Sequence, residues 1–259
     1  MTATTSTRLA LARIPLNPAS RDVHRDVRDP GQMHRTVMNL IDREDGNPTA
    51  RSDANLLHRL DLGPDGASLL VQATVPIHLD RLPDGYAQSA PAQRDATPVL
   101  DWIAAGRTVR YRIHANPVTT TRDPQLLHQE ADRRAESAVK AGQTFAAAAR
   151  LREEFLARAA RQAAKRRGIT LPVTSDTIAA WWTRTAETHG LHIDLVIDSP
   201  LPRITARRSD APTVTLTAVA LDGIATITNS DAVCTAVTNG IGKGRAYGLG
   251  LLSLAPHKE

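Results

Sequence analysis

Between Pro124 and Gly168 the chain carries no proline, although it has 16 in all, and the residues there are mostly Ala, Arg, Glu and Gln. No other feature narrows the possible folds so far. Such a composition favours helix, either one long helix or a pair broken at Gly142. Phe145, Ala149, Arg152 and Leu156 make only a thin apolar stripe along it, which predicts a solvent-facing helical arm. Arg150, Arg152, Arg158, Arg161, Lys165, Arg166 and Arg167 offer contacts to a polyanion or a neighbouring protein. Glu153 and Glu154 among them favour the plainer reading, a solvated face.

On either side of that run the periodicity shortens to that of strands. Arg8 to Leu16 reads as a strand ending at the Asn17-Pro18 turn. Ser20 to Asp29 reads as a charged loop. Asp29-Pro30 then starts a helix, with Asp29 as N-cap and proline at the first helical position. Met33, Val37, Leu40 and Ile41 share one face of this helix, which should stop near Asp45-Gly46-Asn47-Pro48. Leu56–Leu62 and Ser68–Val75 form a hairpin across Gly63-Pro64-Asp65-Gly66. After a proline-rich stretch, Val109, Tyr111, Ile113 and Ala115 alternate with Arg110, Arg112 and His114, a half-buried strand with a basic outer face. That order suits a split βαβ, ferredoxin-like domain.

A helix from Thr174 to Thr188 and strands at Leu191–Ile197, Arg203–Ala206, Val214–Leu221 and Ile224–Thr228 repeat the theme, with Asp222-Gly223 as a hairpin turn. A short helix near Ala232–Val237 and a strand at Leu249–Leu254 complete it. The expected fold is α+β: ferredoxin-like domains over 1–120 and 169–259, with a helical insertion over 121–168 between them.

With hydrophobic residues at 41% and aromatics at 3%, both cores must rest on Leu, Val, Ile and Ala. Cys234 is the only cysteine, which excludes an intrachain disulfide framework and a cysteine-rich metal site and points to a reducing, cytoplasmic home. No run approaches the ~20 apolar residues of a membrane helix. Met1–Thr7 lacks the apolar core of a signal peptide. The net charge of +5 bears on function only where it is clustered, because phosphate neutralisation is local.

Two segments are rich in chemistry. Near the C-terminus, Gly240, Gly242, Gly244, Gly248 and Gly250 interleave with Lys243 and Arg245. Glycine lets a backbone approach a phosphate and present its N–H groups, and the two cations add charge. The plain reading of the same spacing is a tight turn before a strand. A dinucleotide fold would need a helix and an acidic residue downstream, whereas this chain closes in a strand; the phosphate-loop pattern GxxxxGK[ST] is absent too. Near the N-terminus, His34 lies in the first turns of a helix after a loop holding Arg21 and Arg25, and beside Arg35. An imidazole with a pKa near 6.5 exchanges its proton near neutrality. Alone, a helical histidine is more often a surface or packing residue.

Taken together, NPASR (Asn17–Arg21) with MHRT (Met33–Thr36), and GIGKGRAYGLGLLSLAP (Gly240–Pro256), resemble the CasE family, the repeat-RNA endonucleases of type I-E CRISPR systems within the glycine-loop RAMP superfamily. LLVQ (Leu69–Gln72), GYAQ (Gly85–Gln88) and RIHANP (Arg112–Pro117) agree, and Thr121 to about Lys165 does not. The resemblance implies a tandem ferredoxin-like fold that binds repeat RNA as a stem-loop and cuts it at the base of the stem. It implies no metal and no other cofactor: the ribose 2′-OH attacks the adjacent phosphorus, giving 2′,3′-cyclic phosphate and 5′-OH ends. It also implies that the protein stays on its hairpin among the other subunits of the Cascade complex, away from any membrane. His34 matches the family's catalytic histidine, as base for the 2′-OH or acid for the leaving 5′-oxygen. Arg203, Arg207 and Arg208 match a hairpin whose basic side chains enter the RNA stem, while Arg21, Arg25 and Arg35 surround the expected centre.

One departure stands out. Many relatives carry a tyrosine three residues before the histidine, where this chain has Gly31; His24, Arg35 and Tyr247 are candidates to replace the phenol. That departure sustains a second reading, a hairpin-binding subunit whose chemistry is weak or lost. A DNA-binding regulator built on the Ala/Arg-rich helices is a third, and no helix-turn-helix spacing supports it.

Overall fold

Ala12 and Ile14 are fully buried while Arg13 between them is exposed, the period of two that sets Ala10–Pro15 (β1) in a sheet with one covered face. The computed structural model describes residues 8–44, 46–64, 66–174, 177–208 and 211–257, with the backbone alone at 207–208 and 211–212. Asp45 and Asp65, in two of the predicted turns, lie outside the described residues.

After β1 come the helices Arg21–Arg28 (α1), Pro30–Met38 (α2) and Ala50–Asp53 (α3), then the hairpin Leu57–Gly63 (β2) and Gly66–Ala73 (β3), the strand Ala92–Asp95 (β4) and the helix Thr97–Trp102 (α4). The first sheet runs β2-β3-β1-β4, antiparallel throughout. Val37, Leu40, Ile41, Leu69, Val71 and Tyr86 build its core against the helices. Ser20–Asp29, expected as a loop, contains α1. Its Val23 and Asp26, one turn apart, both point inward. Asp26 is buried and accepts from Thr36 Oγ1 at 2.6 Å and Tyr86 Oη at 2.9 Å, so a carboxylate takes a core position. Apolar periodicity does not reveal such a helix.

Thr108–Ala115 (β5) alternates as expected but closes a different sheet. It pairs with strands of the second half of the chain, where its Tyr111 ring lies 5.7 Å from that of the fully buried Trp182. The chain then leaves through Val118–Thr121 (β6), the helical pair Pro124–Lys140 (α5) and Phe145–Ala164 (α6), and returns along Ile169–Pro172 (β7). Gly142, at φ +86°, makes the break between the two helices. This arm, residues Pro117–Thr177, is a compact unit of its own. It has a small core of Leu127, Ala131, Phe155, Ala159, Ile169 and Leu171, and β6 pairs with β7. Arg133 and Arg134 hold Glu130, and Arg152 holds Asp132.

Ile178–Glu187 (α7), Leu191–Pro200 (β8), the ribbon Ile204–Arg208 (β9) and Ala211–Leu216 (β10), Val219–Ile227 (β11), Ser230–Asn239 (α8) and Ser253–Pro256 (β12) complete the chain. The second sheet runs β12-β5-β11-β8, again antiparallel. Its βαββαβ order is β5, α7, β8, β11, α8, β12, so the arm interrupts the second ferredoxin-like domain after its first strand. The fold is the expected tandem of ferredoxin-like domains, with the second beginning at β5. Asp222-Gly223, expected as a hairpin turn, lies inside β11, where Asp222 pairs with Arg112 across to β5. One more contact brings the two sheets together at their edges. Arg59, 3% exposed on β2, binds Asp61 through Nε and Nη2 at 2.7 and 2.9 Å. Its Nη1 donates to Leu251 O at 3.2 Å and to Ser253 Oγ at 2.9 Å, the latter on β12.

Candidate active site

His34 sits in the second turn of α2, and the start of that helix fixes where it points. Asp29 Oδ1 accepts from Gly31 N at 2.8 Å and Pro30 fills the first helical position, as expected. Met33, Thr36 and Val37 face the core, which leaves His34 half-buried at the boundary and Arg35 exposed. Burial first, then the charges of Arg51, Arg43 and Arg35, hold the His34 imidazole below its ordinary 6.5. That shift favours the unprotonated ring, the form able to accept a proton. Arg51 comes from α3, its Nη1 donating to Leu56 O at 3.3 Å. His58 on β2, 3% exposed, is pushed to about 3 chiefly by burial.

The glycine-rich segment reaches the same place. Cα atoms of the 3₁₀ turn Arg245–Tyr247 come within 8 Å of both α2 and β2, and β9 comes equally close to α2. Gly248, at φ +82°, lies over His58, so that a Cβ there would stand 3.5 Å from the imidazole ring. Around it the loop closes on the protein: Tyr247 N donates to Gly244 O at 2.8 Å, Ile241 N to Gly250 O at 2.9 Å, and Gly250 N to His114 O at 2.7 Å. Gly240 packs on Leu57 and Gly244 on Leu216, whereas Gly242 has open space and lies exposed with Lys243.

The other predicted residues are dispersed around this centre. Arg245 Nη1 donates to Asn239 O at 2.8 Å, and its charge is felt at Arg51. Arg25 is held by Asp22 at 2.5 Å and Asp26 at 2.8 Å, while Arg21 is exposed at the first position of α1. Arg203 lines a groove of about 480 Å³ together with Met33, His58, His114 and Tyr247. Arg207 and Arg208 belong to β9 by backbone, and their side chains lie outside the described residues. Of the candidates to replace the missing tyrosine, Tyr247 lines the groove and belongs to the turn beside α2; His24 is exposed on α1 and Arg35 on α2. Sequence reasoning missed Arg51, Arg43 and His58. For His58 a signal existed: strand residues alternate between faces, so one of the neighbours His58 and Arg59 has to point inward, and both side chains are buried.

The buried histidines carry a prediction about stability. His58 sits near 3 and His114 near 4, both lowered chiefly by burial. The unfolded chain therefore binds protons that the folded chain refuses, and stability falls as pH drops below about 6.5 until the folded values are reached. Between pH 7.5 and 5 each histidine should cost about 2 kcal/mol. Urea unfolding at the two pH values checks this, and His58→Gln should remove about half of the difference.

Among the described residues no group of three or more His, Cys, Asp or Glu side chains is arranged to hold a metal ion. No helix among them is long and apolar enough to cross a membrane.

The Thermus thermophilus CRISPR-associated endoribonuclease Cse3 is 26% identical over 261 residues, covering 95% of this chain and 99% of that protein. The structure of T. thermophilus Cse3 bound to an RNA representing a pre-cleavage complex matches with a TM-score of 0.64 at 23% identity, over 96% of this chain and 100% of that one. A chain of a CRISPR RNA-guided surveillance complex, pre-nicking, matches with a TM-score of 0.60 at 26% identity, over 96% of this chain and 100% of that one. A family model, CRISPR associated protein, matches residues 10–256, nearly the whole chain, and the protein therefore belongs to that CRISPR-associated family.

Proposed function

We propose that the protein is a metal-independent endoribonuclease that cuts CRISPR precursor RNA at the base of the repeat stem-loop. It then keeps the hairpin as a subunit of a Cascade-type surveillance complex. The observation that carries this reading is the half-buried His34 on a helix that the Arg245–Tyr247 turn and β9 both approach. Kinship with Cse3, an endoribonuclease, and with a chain of a CRISPR RNA-guided surveillance complex supports the substrate and the partners.

In this reaction His34 takes the proton of the ribose 2′-OH as its oxygen attacks the adjacent phosphorus. The bond from phosphorus to the 5′-oxygen breaks, leaving a 2′,3′-cyclic phosphate, and the 5′-oxygen gains a proton to become a 5′-OH. The lowered pKa favours the base over the acid role, because it enlarges the share of unprotonated imidazole near neutrality. Tyr247, in the groove and beside α2, is the phenol assigned to protonate the 5′-oxygen in place of the tyrosine that many relatives carry at the position of Gly31. Arg203, just before the ribbon, and Arg207 and Arg208 on it read the stem through its phosphates and shape, with Arg21, Arg35, Lys243 and Arg245 neutralising phosphates near the cut. Arg25, shared between Asp22 and Asp26, contributes less.

Incubating the protein with its own repeat RNA in EDTA tests this reading. Cleavage at one position at the foot of the stem is expected, and loss of cleavage in chelator would overturn it. Binding without cutting would favour the hairpin-binding subunit. The single-turnover rate should rise with pH through a midpoint below 6.5 and then level off, the profile of a base whose pKa is depressed.

A further inference from the structure

We propose that the groove lined by Met33, His58 and Arg203 takes the unstacked base of the first unpaired nucleotide past the stem, the one after the cut. The inference rests on the reading of the protein as a nuclease that cuts at the foot of a stem-loop and keeps the hairpin. Such a cut leaves the nucleotide before it in the last pair of the stem, whereas the one after it is free to leave the stack.

The groove, about 480 Å³, falls within the roughly 300–1,000 Å³ of sites for small organic groups. Its floor is the face of the second sheet that carries Arg112 and His114, opposite the face where Tyr111 meets Trp182. Ala220 of β11 stands there between its strand neighbours His114 and Ser199, and its small side chain keeps the floor low. One wall comes from α2 and β2, with Met33, His58 and Leu60, and another from the segment Leu201–Thr205. Met33 precedes His34 on α2, and Tyr247 and Gly248 of the glycine-rich segment line the same groove. An RNA held for cutting at His34 therefore passes its opening.

The chemistry of the lining suits a base. Val27 and Leu62 line the groove yet stay 45% and 73% exposed, apolar surface that a stacked ring would cover. The His58 ring, buried as it is, makes no hydrogen bond among the described residues. Gly248 has no side chain to cover its Nε2 edge, where a Cβ would stand 3.5 Å away. A polar ring so placed calls for a partner. Held near 3 and 4 by burial, His58 and His114 are uncharged at neutrality, each with one donor and one acceptor, a match for the edge of a neutral base rather than for a phosphate. The carboxylates of the lining are engaged already, Asp26 by Arg25, Asp61 by Arg59 and Asp222 by Arg112. Arg28 and Arg203 line the groove, lie exposed and make no ion pair among the described residues, which leaves them for the phosphates on either side of the base.

Binding of an uncleavable hairpin, 2′-deoxy at the last nucleotide of the stem, reads the groove without the reaction. Replacing the next nucleotide by an abasic site should weaken binding to the full chain by about 10-fold, the effect of one lost stacked base. Ala220→Leu, which fills the floor, should bind the intact and abasic RNAs equally, and a hairpin ending at the cut should bind this variant as tightly as it binds the wild type. His58→Leu, which keeps the wall and removes the hydrogen bond, should narrow the difference to about 3-fold. With 2-aminopurine at the same position, acrylamide should quench the bound base less than the free one. Equal binding of intact and abasic hairpins by the wild type, or a bound 2-aminopurine as open to acrylamide as the free RNA, would overturn the pocket. Equal binding joined to failure of Ala220→Leu to assemble with the other subunits of the complex would overturn it in favour of a protein partner. If either variant fails to fold, the two wild-type measurements decide. A wild type that shows the base dependence yet leaves all-ribose repeat RNA whole would defeat the proposed reaction and keep the pocket.

Discussion

Replacing His34 with alanine should lower the single-turnover cleavage rate of repeat RNA by about 10³-fold, the range expected for removal of a general base. Hairpin affinity should stay within about 3-fold, because the cations proposed to bind phosphate remain. The split matters because His34 is half-buried on α2, and its loss opens a small gap beside Met33 and Val37 without removing either from the core. A matching loss of binding and cutting would mean that the imidazole serves the fold. Gel shift and cleavage on the same preparation separate the two outcomes.

The largest effect on stability should come from Gly223→Ala, with a loss of more than about 4 kcal/mol in urea unfolding. Gly223 lies mid-strand in β11, between β5 and β8, next to the register shift at Ile224/Ala225. A Cβ there would overlap the Leu195 carbonyl oxygen and stand 2.8 Å from the Tyr111 hydroxyl, which itself donates to that oxygen at 3.2 Å. Both obstacles belong to the packed sheet, so relief requires the backbone to move. Gly242→Ala makes the contrast. With nothing within 4 Å but φ at +82°, it should lose only about 1 kcal/mol, the strain of the left-handed conformation. Equal losses at both positions would contradict this account of β11.

Gly223 also shows where sequence reading falls short. Asp-Gly between apolar runs is a strong local turn signal, yet here the glycine serves close approach between strands and the aspartate serves Arg112 on β5. Local chemistry was enough for the cap of α2, because Asp29, Pro30 and Gly31 act on one another, and for the β2–β3 hairpin, whose turn and register are set by adjacent residues. Partners of a strand are another matter. The alternation of β5 announces a half-buried strand but not which sheet it joins, and that is decided by distant partners in β11 and β12. The site follows the same division. His34 and the glycine segment were legible from motifs. Arg51 was not, because an arginine on a one-turn helix gives no local sign of its bearing on His34. His58 was hidden by the habit of reading strand histidines as surface.

The 2′-hydroxyl of the nucleotide before the cut is the group on which the proposed reaction turns. Repeat RNA carrying a single 2′-deoxy substitution there should bind as tightly as the all-ribose hairpin and remain uncut in EDTA, while the all-ribose hairpin is cut to a 2′,3′-cyclic phosphate end. Cleavage of the deoxy-substituted hairpin would contradict the account, because a nucleophile other than that hydroxyl would then be at work.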